Sequence, residues 1–268
     1  MTPAFPSIYK CPHCGALKTI CAINSGNSIG IVQWSDLKTL YPMMLKASLV
    51  QCCPSCEKYF LRSKDTYYGA ANSYACRASW GHLSYPSLRE AFEQLSFNNE
   101  EEIKAVRIML MHAHNDLYGG CDGTMSRDSA STEQLDFFSD NAHAIIKLCN
   151  QDNPQERLLM AELYREMGQF SNATDILLSP FKCETNALIE IHRYKILKYS
   201  EQKNPNVFIT YFDTGGIGTD TMTARYDTTI SEYYGKCLWR EAIQKDDAGH
   251  LYDYDFDMAN IVEDDLPF

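Results

Sequence analysis

A membrane-spanning helix needs an apolar run of about 18 residues or more. The sequence contains no uninterrupted run approaching that length, so we expect no membrane span. It also lacks the basic segment followed by an apolar segment that forms a secretory leader. Eleven cysteines in a chain without such a leader are typical of a reducing compartment, where thiols stay free or bind metal. We therefore expect a cytoplasmic protein.

Long basic runs are missing as well, and 35 acidic residues outnumber 24 basic ones, for a net charge of -11. Residues 246–268 hold eight acidic side chains and no Lys or Arg, so the remaining 245 residues carry a net charge of -3. Because phosphate binding needs a clustered basic face, this composition disfavours nucleic acid as a partner. A local basic patch near the N terminus remains an open alternative.

Two Cys-Pro-x-Cys segments, CPHCG at residues 11–15 and CPSC at residues 53–56, are the strongest chemical signal in the chain. Each segment places two thiols three positions apart on a turn that proline stiffens. Four thiolates with this spacing suit tetrahedral zinc with no open coordination position. The sequence therefore predicts one structural zinc ion per chain, bound by Cys11, Cys14, Cys53 and Cys56.

Further sulfur and nitrogen donors lie close to these segments in the sequence. Cys52 precedes Cys53, but only the pair at 53 and 56 repeats the Cys-Pro-x-Cys pattern. Whether Cys52, Cys21 or His13 has a metal or redox role stays open. Ordinary buried cysteines or two disulfides are the alternative, which the paired Cys-x-x-Cys spacing disfavours.

Short strands are predicted around the cysteines, in LKTICAIN, IGIVQW, ASLVQC and YFLR. Together with the two cysteine pairs, this pattern resembles a zinc ribbon that carries an insertion around SDLKTLYPMM. The resemblance covers about the first quarter of the chain. It implies zinc binding but no particular function.

From residue 86 onward the apolar period changes from two to 3.6, which predicts helices. Pro86 and Pro154 each begin a helix, and Asn98 or Asn99 caps the helix EEEIKAVRIMLMHAHNDL. A further helix, TEQLDFFSDNAHAIIKLC, is expected to place six residues on one apolar face: Leu135, Phe138, Ala142, Ile145, Ile146 and Cys149.

The stretch RLLMAELYREMGQFSNATDILLSP, residues 157–180, resembles a tetratricopeptide repeat. The matching positions are Met160, Ala161, Tyr164, Gly168, Phe170, Ala173 and Leu177. The resemblance implies two helices that approach closely at Ala161 and Ala173, joined by a left-handed Gly168. Pro180 and Thr185 depart from the pattern, and no clear second copy exists. Flanking helices, including ETNALIEIHRYKILKYS, are candidate diverged repeats, with a generic helical bundle as the alternative.

Three stretches invite an enzymatic or ion-binding interpretation. HAHND at residues 112–116 is similar to a metal-hydrolase motif, but on a helix positions two apart diverge by about 160°, which leaves only His112 and Asp116 on one face. His114 is expected in the core.

DTG at residues 213–215 is similar to an aspartic-protease triplet and is better explained as a turn. DYDFD at residues 253–257 has calcium-loop spacing, but Met258 stands where glycine is required.

We expect an α+β chain with a zinc ribbon at 1–63, a linker at 64–85, a tetratricopeptide-like helical domain at 86–203, and a C-terminal strand and acidic tail at 204–268. The predicted function is a non-catalytic interaction protein with a protein or peptide partner. Alternatives are a zinc-ribbon nucleic-acid binder and a metallohydrolase using His112 and Asp116. The sequence does not indicate the oligomeric state.

The acidic tail carries its own expectation. Aromatic and acidic residues alternate over 252–257, so an extended backbone places the aromatic rings on one face and the carboxylates on the other. Acidic segments that stay disordered are usually poor in aromatic residues. We therefore expect the aromatic face to dock on the folded body, with a frayed terminus as the alternative.

Overall fold

The computed structural model describes residues 2–3, 7–20, 23–25, 31–40, 48–64, 66–70, 83–118, 130–182, 187–212, 241–245 and 251–255. It divides into two compact units. The first unit comprises Met1–Gly30 and Tyr41–His114, and the second comprises Ile31–Leu40 and Asn115–Phe268. The domain limits predicted from the sequence stay a prediction.

Strands dominate the first seventy residues. They are β1 (Thr2–Pro3), β2 (Ser7–Lys10), β3 (Leu17–Ile20), β4 (Ile23–Ser25), β5 (Val32–Trp34), β6 (Thr39–Leu40), β7 (Val50–Cys52), β8 (Tyr59–Leu61) and β9 (Thr66–Ala70), with a 3-10 turn at Arg62–Lys64. Three more strands follow the helices: β10 (Ile209–Phe212), β11 (Glu241–Lys245) and β12 (Leu251–Asp255). All the strand pairs found in the described part of the chain are antiparallel.

Six helices lie between the two groups of strands in the part of the chain that is described. They are α1 (Tyr85–Gln94), α2 (Glu100–Tyr118), α3 (Thr132–Leu148), α4 (Pro154–Glu166), α5 (Phe170–Leu178) and α6 (Ala187–Glu201). Small antiparallel sheets followed by helices confirm the predicted α+β class. None of the described helices combines the length and apolarity that crossing a bilayer requires.

The main sheet of the first unit has β2 in the centre. It pairs with β3 on one side and β9 on the other, so that Tyr9 lies opposite both Lys18 and Tyr67. A separate hairpin, β7–β8, carries the second Cys-Pro-x-Cys segment between its strands. β9 falls within residues 64–85, which the sequence analysis assigns to a linker.

The strand predicted from IGIVQW forms, and one of its two partner strands is distant in the sequence. β5 is the central strand of a sheet in the second unit, between β6 and β10. Val32, Trp34 and Ile209 are buried together in this sheet. The segment between the two cysteine pairs therefore supplies part of the core of the second unit.

Helices begin at Pro154 and directly after Asn99, as predicted, and an asparagine side chain caps each of them. Asn153 Oδ1 accepts hydrogen bonds from the backbone N–H groups of Gln155 and Glu156, at 3.0 and 3.3 Å, directly before Pro154. Asn99 Oδ1 accepts from Glu102 N at 2.9 Å at the start of α2. These side chains satisfy donors that have no partner within the helix itself.

The apolar face predicted for α3 is only partly buried. Phe138, Ala142 and Ile145 are buried, as predicted, whereas Leu135 is 39% exposed. Leu135 lies in the first turn of α3, one turn before the buried stripe begins. The apolar period therefore predicts correctly which face of α3 is buried, but it does not predict where along the helix the burial begins.

Helices α4 and α5 form a tight hairpin. Gly168 has a φ of 74°, in the left-handed region, as predicted. In this turn Gly168 N donates to Arg165 O at 2.9 Å and Gln169 N donates to Tyr164 O at 2.8 Å, which closes the end of α4. Ala161 and Ala173 are both fully buried, so neither has room for a larger side chain without local movement.

An arginine from α4 terminates α5. The Arg157 guanidinium, 8% exposed, donates to the carbonyl oxygens of Ile176, Ser179 and Pro180 at 2.7 to 3.1 Å. Phe181 lies under this guanidinium, 4.5 Å from its central carbon to the ring centroid. Arg157 thus satisfies one carbonyl in the last turn of α5 and two carbonyls directly after the helix, and it ties the two helices together.

The C-terminal prediction is met in part. β10 forms within VFITYF, as expected, and β12 shows that residues 251–255 are extended and paired with β11. The side chains of residues 251–255 and all of 256–268 lie outside what the structure describes, so docking of the tail stays a prediction.

Enlarging Ala173 tests the helical hairpin. Because this side chain is fully buried on α5, Ala173→Leu should overpack the interior and lower the free energy of unfolding by about 1 to 3 kcal/mol. Urea denaturation measures the loss. Ser171→Leu, at an exposed position on the same helix, is the control and should change stability by less than about 0.5 kcal/mol. An Ala173→Leu protein as stable as the native one would contradict close packing here.

His192 on α6 predicts a pH dependence of stability. The ring is buried, with Nδ1 2.8 Å from Leu188 O and Nε2 2.7 Å from Thr210 Oγ1. Burial, supported by the Lys195 charge and opposed by the Leu188 hydrogen bond, lowers the pKa of His192 to about 4. Since an unfolded histidine titrates near pKa 6.5, the unfolded state binds more protons below that pH, and acid destabilises the fold.

The expected loss between pH 7 and pH 4 is about 3 kcal/mol from this group. Urea unfolding at several pH values should show a shallower dependence in His192→Gln than in the native chain. His143→Gln, on the exposed side of α3, is the control and should retain the native dependence. Parallel curves for the native chain and His192→Gln would refute the assignment.

Candidate metal centre

The four cysteines of the two Cys-Pro-x-Cys segments lie together in the first unit. Their sulfur atoms are all within 4.8 Å of one another. Cys11 Sγ lies 3.9 Å from Cys56 Sγ, and Cys14 Sγ lies 3.7 Å from Cys53 Sγ. Each short contact therefore joins one thiol from each segment.

These distances fit a four-coordinate metal. A tetrahedron with metal–sulfur bonds of about 2.3 Å has sulfur–sulfur edges of about 3.8 Å. A disulfide would instead need about 2.0 Å, and all four cysteines are free. The group can hold a metal ion, and its spacing is compatible with zinc.

The two segments have the same backbone geometry. Gly15 N donates to Cys11 O at 3.0 Å and Cys11 N donates to Ala16 O at 2.8 Å. In the second segment Glu57 N donates to Cys53 O at 2.7 Å and Cys53 N donates to Lys58 O at 3.0 Å. Both turns therefore direct their two sulfurs to the same side by the same hydrogen bonds.

Each turn ends in a left-handed residue. The φ angle is 72° at Gly15 and 57° at Glu57. Glycine adopts this conformation freely, but a residue with a Cβ is strained there by about 1 to 2 kcal/mol. The sequence does not reveal the second case, because Glu57 carries no local signal for a positive φ.

Burial around the sulfurs is asymmetric. Cys11 and Cys53 are buried and pack against Phe60, whereas Cys14 is exposed. A second feature that the sequence did not reveal is the burial of Lys18, whose Nζ lies 5.0 Å from the Phe60 ring centroid and donates to Gln51 Oε1 at 2.7 Å. A metal dication with four thiolates carries a net charge of -2, which a nearby ammonium partly offsets.

The thiols differ in how readily they ionise. Burial raises the pKa of Cys11. At Cys53 burial acts in the same direction, but the backbone N–H groups of Ser55 and Cys56 outweigh it and lower the pKa to about 7. At Cys56 the Lys58 N–H favours the thiolate, yet burial and the three neighbouring thiols raise the pKa to about 12. Metal binding has to release the protons of those thiols that are still protonated.

Two further potential ligands near the site, His13 and Cys52, have other contacts. His13 Nε2 lies 3.2 Å from Tyr59 O, and its ring packs edge-on against Phe60. Cys52 is half-buried at the end of β7, where burial raises its thiol pKa. Cys21 is not among the described residues.

The enzymatic alternatives gain no support from the described geometry. His112 and Asp116 lie on α2, where the Asp116 carboxylate forms an ion pair with Lys38 Nζ. His114 is buried and packs edge-on against Tyr85, as expected of a core histidine. Among the described residues, the four cysteines are the only group of three or more potential ligands close enough to share a metal. The triplet at 213–215 lies outside the described residues.

Comparison of the chain with protein-family models, with curated proteins and with solved structures found no match.

The two left-handed positions make a paired prediction. Gly15→Ala should destabilise the first unit by about 1 to 2 kcal/mol, because no atom crowds the added Cβ and only the backbone strain changes. Glu57→Gly should instead raise stability by up to about 1 kcal/mol by relieving that strain. Thermal unfolding of the metal-loaded protein measures both. Glu57→Ala is the control, since it removes the charge but keeps the Cβ, and an effect equal to that of Glu57→Gly would contradict the strain.

Proposed function

We propose that this chain is a non-catalytic cytoplasmic interaction protein, in which one structural zinc ion supports the first unit and the second unit presents a surface to a protein partner. The observation that carries the proposal is the coordination set. Four thiols from Cys11, Cys14, Cys53 and Cys56 fill every position of a tetrahedral zinc ion, which leaves none for water or substrate.

Two features support a zinc-ribbon identity for the first unit. The paired turns have matching hydrogen bonds, and the second turn lies between the antiparallel strands β7 and β8. A small unit with a limited core gains much of its stability from such a metal, on the order of 10 kcal/mol at neutral pH. Zinc thus acts as a structural element in this proposal.

The partner surface is proposed for the helical part of the second unit. The left-handed Gly168 and the fully buried Ala161 and Ala173 support a tetratricopeptide-like hairpin. Helical-repeat proteins of this kind bind peptides on an open helical face. Leu178 at the end of α5 is 63% exposed, and Tyr194 on α6 is 40% exposed. Large apolar side chains in contact with water are available to a partner.

Metal analysis tests the zinc assignment. We expect about one zinc per chain in freshly purified protein, and its loss in Cys11→Ser and Cys56→Ser, because three thiolates bind zinc less tightly than four. The helical circular dichroism of α3 to α6 should persist in both variants. Cys149→Ser and Cys52→Ser replace cysteines outside the four-sulfur group and should keep the metal. Protein without zinc, or full retention in the first two variants, would refute the assignment.

An affinity pull-down tests the partner. The native chain is exposed to nuclease-treated extract of the source cells at physiological salt, and retained proteins are identified by mass spectrometry. We expect at least one protein that the native chain retains and the Leu178→Ser, Tyr194→Ser variant loses, since small polar side chains remove the apolar contact. Leu135→Ser, which alters an exposed leucine on α3, is the control. Retention of no protein, or equal retention by both variants, would contradict this surface.

A further inference from the structure

The net charge of the chain is divided unequally between its two units. The first unit contains 10 basic and 7 acidic residues, a net of +3, whereas the second contains 14 basic and 28 acidic residues, a net of -14. Within the first unit, residues 7–20 and 48–70 hold five basic residues against two acidic ones. The overall value of -11 therefore conceals a positively charged unit.

Two adjacent tyrosines on β9 are unusually exposed. Tyr67 is 59% exposed and Tyr68 is 57% exposed. Tyr67 packs edge-on against Tyr9, its partner across the sheet, with ring centroids 5.8 Å apart. In the described part of the chain β9 is the outer strand of the β3–β2–β9 sheet, so both tyrosines lie at the edge of this sheet, here called its rim.

A lysine lies directly beside one of these rings. Lys10 on β2 places its Nζ 4.1 Å from the centroid of Tyr68. Tyr9 and Tyr67 are directly paired and share one face of the sheet. Lys10, the next residue of β2, points to the other face, where its ammonium meets the Tyr68 ring. The sheet rim thus presents an aromatic plane and an ammonium side by side on one face, and a second exposed ring on the other.

We propose that this rim binds single-stranded nucleic acid, with Tyr67 and Tyr68 stacking on bases and Lys10 contacting the phosphate backbone. Aromatic rings next to cationic side chains are how single strands are bound without sequence preference. The positive charge of the first unit favours an anionic partner. A duplex is a poorer fit, because its bases are already stacked on one another and closed to tyrosine rings.

The proposal concerns a face of the first unit and goes beyond the protein-partner function of the second. It also revises the expectation drawn from total charge, because phosphate recognition depends on local charge rather than on the average over the chain. The two proposals are tested separately, since the pull-down uses nuclease-treated extract and variants of the second unit only.

Fluorescence anisotropy with the zinc-loaded full chain and a labelled oligothymidylate of about 15 nucleotides tests this inference. We expect measurable binding at about 50 mM salt, weakened roughly 5- to 160-fold by Tyr68→Ala, the range for losing one stacked base. Tyr68→Phe should retain binding because it keeps the ring. Lys10→Gln should reduce the slope of log K against log salt by about 0.7, the value for one phosphate contact on a single strand.

Lys147→Gln and Lys203→Gln make the same lysine replacement at exposed positions of the second unit and should leave oligonucleotide binding unchanged. Zinc content and thermal unfolding confirm that the variants of the first unit are folded. Absence of binding at low salt, equal affinity for a duplex, or equal losses in the second-unit controls would overturn the proposal. So would sedimentation showing that the native chain self-associates without binding the oligonucleotide and that Tyr68→Ala becomes monomeric, since the rim would then be a protein interface.

Discussion

The approach of four sulfur atoms to within 4.8 Å of one another is the constraint on which the first unit depends. It brings together two turns that 38 intervening residues separate, between Cys14 and Cys53. Closing such a loop costs conformational entropy, and thiols packed at van der Waals distance return little energy by themselves. A bound metal changes that balance, because its bonds to the thiolates exist only when both turns are folded.

The segment between the two turns gives that loop a second role. Residues 31–40 contribute β5 and β6 to the second unit, where β5 pairs with β10 more than 170 residues further along the chain. Thr210 Oγ1 also donates to Gln33 O at 3.1 Å, so side-chain and backbone bonds reinforce the pairing. Neither unit is therefore a continuous stretch of sequence, and the second unit needs residues that a single cut between the units would assign to the first.

Buried polar groups determine how the helices of the second unit meet. Arg165 and Glu162 are both fully buried, and the guanidinium binds the carboxylate at 2.5 and 2.8 Å and also donates to Asn204 O. Burial alone would lower the pKa of Arg165, but the Glu162 carboxylate outweighs burial and raises it, so the guanidinium stays charged. Such a pair adds little net stability, yet losing either partner leaves the other charge buried without compensation. Because Glu162 and Arg165 both lie on α4, it is the bond from Arg165 to Asn204 O that ties this helix to the segment after α6.

What the sequence determined by itself was local. Proline and the three-residue thiol spacing define the two turns, Pro154 and Asn99 define helix starts, and Gly168 defines the turn between α4 and α5, because each acts on neighbours within about one helical turn. Only the tertiary structure decided that β5 pairs with β10, that Leu135 stays exposed while Lys18 is buried, and that Glu57 adopts a left-handed conformation. Those outcomes depend on which distant segment covers a residue or closes a turn, and no local pattern of residue types contains that information.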